Sequence, residues 1–302
     1  MTLTSPLEAD GNGLPDIADP AAPRPAVAPR LLALDLDGTC IDDRQQLHPR
    51  TRSAIRSAAR RLDVVLATGR MYWSAVRWAR ELQLRSPLIC YQGAMVRRLP
   101  SGYLTGDAVE PGELLLEVPL PPEPTSRAIE LARAHGWHRQ AYRDECLLCE
   151  EDRPEAHLYA RIANVEINFV DDLVAAVPDG TIKVVCVVDD RVAVAECEDS
   201  LAKGLGASAR VVRSLPPFVE ITNPVATKGR ALAELRKQLG IGTPDEVVAI
   251  GDAPNDIDLF KEAGFAVAVA HAGPKVVSYA DALCAEPEAG GVADVLEALG
   301  LT

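Results

Sequence analysis

One short stretch near the start of the chain limits what the sequence can fold into more than any other. Residues 31–39 form an apolar run that ends in two carboxylates, a glycine and a hydroxyl. Such a run predicts a strand that is buried on both faces. Because side chains alternate along a strand, Asp35 and Asp37 project to the same side at its carboxyl end. Gly38 then allows the backbone to approach a ligand closely.

A strand that merely runs into an acidic turn would explain this stretch equally well.

Composition sets the bounds for what else the chain can be. Its 302 residues and 48% hydrophobic content are enough for one large domain or two ordinary ones. Its net charge of -13 repels nucleic acid and anionic membranes, so we expect neither as a partner. Any site for an anion must therefore be positive locally.

The cysteines and the apolar runs indicate the cellular compartment in which the protein is expected. Seven cysteines, odd in number and scattered, favour reduced thiols, and no run approaches the ~18 apolar residues that span a bilayer. The first residues lack the features of a secretory signal. We therefore expect a cytoplasmic protein. Cys146 and Cys149 have the spacing of zinc ligands, with His157 beyond them, but without a second cysteine pair a surface or core role is favoured.

Strands and helices alternate in two separated parts of the chain, which predicts an α/β fold with a doubly wound parallel sheet. Residues 1–29 are rich in proline, alanine and glycine and are expected to be a disordered leader. The core is predicted at 30–95 and 221–302. Its expected strands are residues 31–34, 64–67, 87–91, 247–250 and 265–270, and its expected helices carry Ala54 to Leu62, Trp73 to Leu82 and Ala231 to Leu239.

Residues 96–220 have a different pattern and are expected to be an inserted α+β module. The predicted elements are a helix near 127–135 and strands at 157–162, 166–170 and 182–188. Glu166, Asn168 and Lys183 are polar residues within these strand-like runs. Exposed strand faces explain them better than contact with a substrate.

Polar clusters follow the predicted core strands or begin a core helix. Ligands of open α/β sheets bind beyond the carboxyl ends of the strands, so we expect the clusters to converge. Each cluster alone has an ordinary structural explanation; their shared placement favours a site. The clusters are Asp35 with Asp37 and Thr39, Thr68 with Gly69, Lys228 after the candidate helix cap Thr227, and Asp252 with Asn255 and Asp256.

The predicted convergence creates an electrostatic problem. Each close pair of carboxylates costs about 4 kcal/mol at ~4 Å and an effective dielectric near 20. Lys228 alone cannot offset that repulsion. An all-oxygen site with room for water and phosphate suits Mg²⁺ better than zinc or calcium. The sequence therefore predicts a magnesium site.

These motifs, in this order, resemble the haloacid dehalogenase superfamily, specifically its Cof-like phosphatases of subfamily IIB. The insert resembles their C2-type cap, and the C-terminal residues 280–281 and 290–293 resemble the family's last segment. The resemblance implies a Rossmann-like core with a cap domain. The matching motifs are Asp35 to Thr39, Ala67 to Arg70, Thr227 to Gly229 and Gly251 to Asp256.

The resemblance also implies roles for individual residues. Asp35 would be the nucleophile, and Asp37 would protonate the leaving oxygen and then activate water. Mg²⁺ would lie between the Asp35 carboxylate, the Asp37 main-chain carbonyl and Asp252. Asp256 would orient Lys228 or a metal-bound water. The residues expected to hold the phosphate oxygens are Thr68, Lys228, Asn255 and the backbone N–H groups of Leu36 and Gly69.

The expected function is a Mg²⁺-dependent phosphatase that hydrolyses small phosphorylated metabolites, such as sugar phosphates or nucleotides, through an aspartyl phosphate. A phosphomutase with the same kind of cap and a phospho-accepting receiver-like regulator are the alternatives. Gln92 and His271 stand where the family usually has asparagine. Neither lies in a catalytic motif, so we expect them to affect substrate preference at most. For His271 a structural hydrogen bond is favoured over a catalytic role.

Overall fold

A computed structural model describes residues 13–107, 110–188 and 190–302. Its strands are numbered in chain order. They are β1 (Leu31–Leu34), β2 (Asp63–Leu66), β3 (Leu88–Cys90), β4 (Met95–Arg97), β5 (Leu114–Glu117), β6 (His138–Arg143), β7 (Cys146–Cys149), β8 (Ile167–Phe169), β9 (Val184–Val187), β10 (Arg210–Leu215), β11 (Phe218–Thr222), β12 (Val247–Gly251), β13 (Phe265–Val269) and β14 (Ala282–Cys284).

Helices connect most of these strands. They are α1 (Pro49–Ala58), α2 (Tyr72–Leu82), α3 (Pro122–Ala134), α4 (Pro154–Ala163), α5 (Leu173–Ala176), α6 (Arg191–Leu205), α7 (Lys228–Gln238), α8 (Ile257–Lys261), α9 (Pro274–Val277) and α10 (Gly291–Ala298). Among the described residues, no helix is both long and apolar enough to cross a bilayer.

The central sheet is parallel, in the order β14-β13-β12-β1-β2. Alternate side chains of β1 enter different cores. Leu32 and Leu34 pack with α1, α2 and α10, whereas Leu31 and Ala33 pack with α7, α8 and α9. Helices thus cover both faces, which is why the strands are apolar throughout. The predicted doubly wound sheet is confirmed.

The third predicted strand, β3, is placed differently from expectation. A single parallel bridge, from Ala67 to Ile89, joins it to the end of β2, and its ladder is antiparallel, in the order β3-β4-β5. The hairpin that follows β3 supplies these partners, because strands joined by a short turn pair antiparallel. The chain passes from β5 into the inserted domain.

The cap sheet has the order β10-β11-β9-β6-β7-β8 and is antiparallel apart from β7 with β8. Helices α3 and α6 cover one of its faces, and α4 packs on the other, toward the core. The predicted inserted α+β domain is confirmed. The predicted limits of the core and the cap stay a prediction. In the structure, β4 and β5 pair with β3, and the strands of the cap sheet lie within residues 138–222.

The strand predicted at 157–162 is wrong, because these residues lie in helix α4. Pro154 opens the helix, with Glu155 in its first turn, which favours a helical start. Ala156, Tyr159 and Ala163 are buried at helical spacing. The predicted strands at 166–170 and 182–188 contain β8 and β9, and the predicted helix at 127–135 lies largely within α3.

The leader prediction is wrong for residues 13–29, which pack on the core. The Ile17 side chain is fully buried, and its N–H donates to Leu283 O at 2.7 Å. Leu283 N–H donates to Pro15 O at 2.9 Å. An edge strand such as β14 leaves backbone groups unpaired, and this segment pairs with them. The rest of the predicted leader, residues 1–12, lies outside the described residues.

Candidate active site

The first predicted carboxylate, Asp35, follows directly after β1. Its N–H donates to Ile250 O of β12 at 2.9 Å, which fixes the backbone at the sheet edge. Its side chain is buried, and Lys228 Nζ donates to Asp35 Oδ1 at 2.5 Å. Lys228 is the first residue of α7, which Thr227 caps by accepting from Arg230 N–H, as expected. The amino end of α7 therefore faces the end of β1.

Asp256 joins Lys228 to the end of β12. Lys228 Nζ donates to Asp256 Oδ1 at 2.7 Å. The other oxygen of Asp256 accepts from the N–H groups of Asp252 and Ala253, at 3.1 and 3.0 Å. A Cβ on Gly251 would lie 2.6 Å from Asp256 Cγ, so glycine is required for this close turn. Asp256 thus holds both Lys228 and the backbone that carries Asp252.

Carboxylates from the two ends of the sequence meet at one place. Oxygens of Asp35, Asp252 and Asp256 lie within 4.8 Å of one another. Thr39 Oγ1 donates to Asp252 Oδ1 at 2.7 Å. Gly38 has a φ of +81°, and a Cβ there would lie 2.7 Å from Asp252 Oδ2. The glycine predicted to permit close approach therefore makes room for this cluster.

The charges of the cluster are not balanced by protein groups. Burial, followed by the repulsion from Asp256, raises the pKa of Asp35 well above its usual value. Burial likewise raises the pKa of Asp256, against the attraction of Lys228. Burial lowers the pKa of Lys228, but Asp256 and Asp35 outweigh it and the net pKa is raised. Lys228 pairs with Asp35 and Asp256, and the oxygens of these two carboxylates together with those of Asp252 form a donor set that a divalent cation can hold together.

Asp37 has different surroundings, although it is only two residues from Asp35. Arg70 binds both of its oxygens, through Nε at 2.8 Å and Nη2 at 2.5 Å. The same guanidinium donates to Gln45 and, at 3.4 Å, to Ile162 O near the end of α4 in the cap. A bidentate pair of hydrogen bonds from one guanidinium fixes the orientation of a carboxylate. The sequence placed Arg70 in a motif but gave no sign of this contact.

The predicted phosphate-binding residues form turns beside Asp35. Thr68 is buried, and its Oγ1 accepts from Arg70 N–H at 3.1 Å. Gly69 follows it, and Leu36 O accepts from the N–H groups of Cys40 and Ile41, both at 3.0 Å. Asn255 is buried in the turn before α8. The role of each of these residues stays a prediction.

Lys183 does not lie on an exposed strand face, contrary to expectation. It is fully buried, and its Nζ donates to Gly69 O at 2.8 Å and to Glu220 Oε2 at 3.1 Å. Burial lowers its pKa, but Glu220 outweighs that effect and the net pKa is raised. The strand pattern could not reveal this contact, because it depends on how the cap sits on the core. The rings within 6 Å of Nζ are those of Tyr91, Tyr142 and Tyr159. Glu166 and Asn168 are exposed, as expected.

The two departures from the family pattern both touch the site. Gln92 is buried, and its Oε1 accepts from Asn255 Nδ2 at 2.8 Å. His271 Nε2 lies 3.3 Å from Asp252 Oδ2, and its Nδ1 contacts Glu286. The hydrogen bond to Asp252, against some burial, raises the pKa of His271 to about 9. The predicted structural hydrogen bond of His271 is thus made to a carboxylate of the cluster.

The candidate zinc ligands lie apart from this site. Cys146 is exposed and Cys149 buried on strand β7, and His157 pairs with Asp152 at 2.6 Å. Within the described residues, the group of side chains with metal-ligand spacing is the aspartate cluster at the sheet edge. The seven cysteines are free thiols.

The cluster opens, at Asp35, into a cleft between the core and the cap. The core supplies mainly polar atoms, and the cap supplies aromatic and aliphatic surface together with one carboxylate. The core residues that line the cleft are Asp35, Asp37, Gly69, Arg70, Gln92, Ala253 and Asn255, and the cap residues are Tyr159, Ile162, Ala163, Phe218 and Glu220.

Comparison with known proteins agrees with this geometry. A family model described as haloacid dehalogenase-like hydrolase matches residues 32–296, and the chain belongs to that family. Within it, the chain is a phosphoric monoester hydrolase, and the relatives that it matches are described mainly as phosphatases. The resemblance seen in the motifs is therefore confirmed.

Individual relatives match over nearly their whole length. A phosphoglycolate phosphatase from Archaeoglobus fulgidus is 27% identical over 90% of this chain and 98% of its own. A crystal structure from Thermotoga maritima has a TM-score of 0.73 at 32% identity, covering 89% of this chain and 97% of that one. A structure described as a sugar phosphatase of subclass IIB shares the fold, with a TM-score of 0.76 at 19% identity over 90% and 100% of the two chains.

Proposed function

We propose that the chain hydrolyses phosphate monoesters of small metabolites in a Mg²⁺-dependent reaction through an aspartyl phosphate on Asp35. The observation that carries this proposal is the meeting of Asp35, Asp252 and Asp256 within 4.8 Å around the ammonium of Lys228. A carboxylate can attack phosphorus only where neighbouring positive charge offsets the repulsion between two anions. Lys228 supplies part of that charge.

The donor set fits Mg²⁺. Carboxylate oxygens are the ligands that this ion prefers, and the cluster contains more negative charge than Lys228 can offset. Asp35 and Asp252 would hold the ion together with the Asp37 main-chain carbonyl, while Asp256 is occupied by Lys228 and two backbone N–H groups. When bound, Mg²⁺ would supply charge neutralisation for the substrate phosphate and the Asp35 carboxylate.

The chain's own residues account for both transfers. In the first, an Asp35 oxygen forms a bond to phosphorus while the bond from phosphorus to the leaving oxygen breaks, and Asp37 gives that oxygen a proton. In the second, Asp37 takes a proton from water, whose oxygen attacks phosphorus and releases Asp35 and inorganic phosphate. Arg70 holds the Asp37 carboxylate in one orientation for these proton transfers. Thr68, Lys228 and the N–H groups of Leu36 and Gly69 would hold the phosphate oxygens.

The surface that the cap presents to the cleft favours a substrate whose leaving group is a small organic molecule. Tyr159, Ile162 and Phe218 present apolar surface to the cleft, opposite the aspartates. A surface of this kind excludes water from the first transfer. One relative is described as a phosphoglycolate phosphatase, and a structure with the same fold is described as a sugar phosphatase, so we propose a phosphorylated metabolite in that size range. Free thiols and a net charge of -13 favour a cytoplasmic protein without nucleic-acid or membrane partners.

The test is phosphate release from a panel of phosphorylated metabolites, with Mg²⁺ and with a chelator. We expect turnover of some members with Mg²⁺ only, and a loss of about 10³-fold or more in Asp35→Asn with the fold retained. Asp199→Asn, which changes an exposed aspartate on α6, is the matched control and should keep parental turnover.

Three outcomes would count against the proposal. Asp35→Asn with parental turnover would exclude Asp35 as the nucleophile. Isomerised hexose phosphate without released phosphate would indicate a mutase. A phosphorylated protein that persists for hours in Mg²⁺ would indicate a regulator.

A further inference from the structure

The turn at Tyr91–Gly93 holds a polar side chain in a costly arrangement next to the candidate active site. Tyr91 and Gln92 both have left-handed backbones, with φ of 52° and 60°. Such a conformation is strained for each residue that is not glycine. The turn is well fixed, because Gln92 N–H donates to Thr68 O at 3.1 Å and a Cβ on Gly93 would lie 2.1 Å from Thr227 O. The strained turn thus places Gln92 between Thr68 and the start of α7.

The Gln92 side chain contains an unpaired donor. It is 1% exposed, and its Nε2 has no hydrogen-bond partner among the described residues, although its Oε1 accepts from Asn255 Nδ2 at 2.8 Å. A buried amide N–H₂ without a partner is destabilising, because it has lost its hydrogen bonds to water. Native proteins rarely keep such a group unless a ligand or water pairs with it. Gln92 and Asn255 both line the cleft that contains Asp35.

The position of this donor indicates which ligand atom it meets. A Cβ built on Gly69 would lie 2.3 Å from Gln92 Nε2, so the amide lies directly against the turn predicted to bind phosphate. The other unpaired atom of the pair, Asn255 Oδ1, is an acceptor and would repel a phosphoryl oxygen. Gln92 Nε2 is therefore the unpaired donor of the pair, buried against the Gly69 turn, and the Asn255 bond fixes the orientation of the amide.

We propose that Gln92 binds a phosphoryl oxygen of the substrate through its Nε2 group, and that Asn255 acts on the phosphate by orienting Gln92. This inference rests on the proposed phosphatase function. The family resemblance implies that Asn255 holds a phosphate oxygen; the proposal gives this contact to Gln92. Because the phosphoryl group is common to all substrates, the contact serves phosphate affinity and does not discriminate between leaving groups.

The experiment compares Gln92→Met, which has nearly the same shape but no donor, with the parent in the presence of Mg²⁺. Titration with inorganic phosphate by calorimetry gives the affinity of the phosphoryl site directly. We expect Gln92→Met to weaken phosphate binding by about 10- to 100-fold, the range for a hydrogen bond to a charged group. KM should rise by the same factor for two substrates with unrelated leaving groups. Gln92→Glu should weaken binding further, because it places a carboxylate against an anion.

Stability separates this role from a structural one. Phosphate should raise the Tm of the variant less than it raises the Tm of the parent. The ligand-free Tm should itself fall, because Met also removes the Oε1 acceptor of buried Asn255 Nδ2. Gln140→Met is the matched control, since buried Gln140 donates from Nε2 to Tyr142 OH at 2.7 Å, away from the cleft. It should lower Tm and leave phosphate affinity unchanged. Gln92→Asn tolerates the left-handed backbone and provides a second test if the Met variant does not fold.

Unchanged phosphate affinity in Gln92→Met, or a rise in KM confined to one substrate, would overturn the proposal. A lower ligand-free Tm with normal phosphate affinity would make Gln92 a structural residue. Failure of the proposed function is distinguishable, because the parent itself would then release no phosphate from any substrate.

Discussion

Two buried lysines contact residues that line the same cleft, yet their surroundings differ. Lys228 binds Asp35 and Asp256, with Asp252 close by, and all of these belong to the core. Lys183 binds Glu220 and a core carbonyl and lies among tyrosine rings. Negative charge is in excess around the first lysine, whereas a carboxylate matches the second. The proposed Mg²⁺ site therefore belongs to the carboxylates around Lys228, whereas the contacts of Lys183 join the two domains.

Replacing Lys228 should have the largest effect. Lys228→Met leaves Asp35 and Asp256 buried without their cation and removes a donor to the transferring phosphate. We expect turnover to fall by about 10²- to 10³-fold. Unfolding should become easier by about 3 kcal/mol, measured with denaturant. Lys237→Met, an exposed lysine on the same helix, is the control and should change neither quantity. Near-normal turnover in Lys228→Met would mean that Lys228, like Lys183, is not needed for the reaction.

Replacing Lys183 should affect stability more than chemistry. Lys183→Met leaves Glu220 buried without this partner, so we expect a loss of about 3 kcal/mol in unfolding free energy. Adding Glu220→Gln should recover part of that loss, because the buried negative charge that Lys183 offset is then removed. Turnover should stay within about 10-fold of the parent, since no phosphate contact is removed. A loss of turnover as large as that of Lys228→Met would mean that both lysines act on the reaction.

Mg²⁺ should stabilise the folded protein by binding at Asp35 and Asp252, and this stabilisation should not depend on Lys183 in the cap. We expect a gain of about 2.7 kcal/mol when Mg²⁺ is at 100 times its dissociation constant, measured as a rise in Tm. Lys183→Met should keep this gain, and Asp252→Asn should lose most of it. An equal gain in Asp252→Asn would place the ion elsewhere.

The smallest effect is on the pH dependence of the metal-free protein. The pKa values of Asp35 and Asp256 are raised by burial, so the folded state keeps protons that the unfolded state loses above about pH 4. The contribution of these two carboxyls to stability should be fully present below that pH and be lost, by about 1 kcal/mol per pH unit, as pH rises through the folded pKa values. Mg²⁺ favours the ionised carboxylates and should flatten this slope. Denaturant unfolding at several pH values, with Mg²⁺ or chelator, measures both slopes. A slope unaffected by Mg²⁺ would contradict the assignment.

The same contrast explains what could be predicted from the sequence. Asp35, Lys228 and Asp252 each follow a strand or begin a helix of a parallel sheet, so topology alone brings them together. Lys183 meets Gly69 only through the packing of the cap on the core, for which the sequence contains no periodic signal. Residues 157–162 were predicted as a strand because their alternation is short enough to fit either structure.

The packing of residues 13–29 has a consequence for association. Through Pro15 and Ile17 this segment occupies hydrogen-bonding groups of Leu283 on the outermost strand of the parallel sheet. A bare strand at that position is a template onto which a neighbouring molecule can add its own strand. A stretch of the chain's own backbone thus occupies this position, so a neighbouring molecule cannot add a strand at Leu283 unless the segment is displaced.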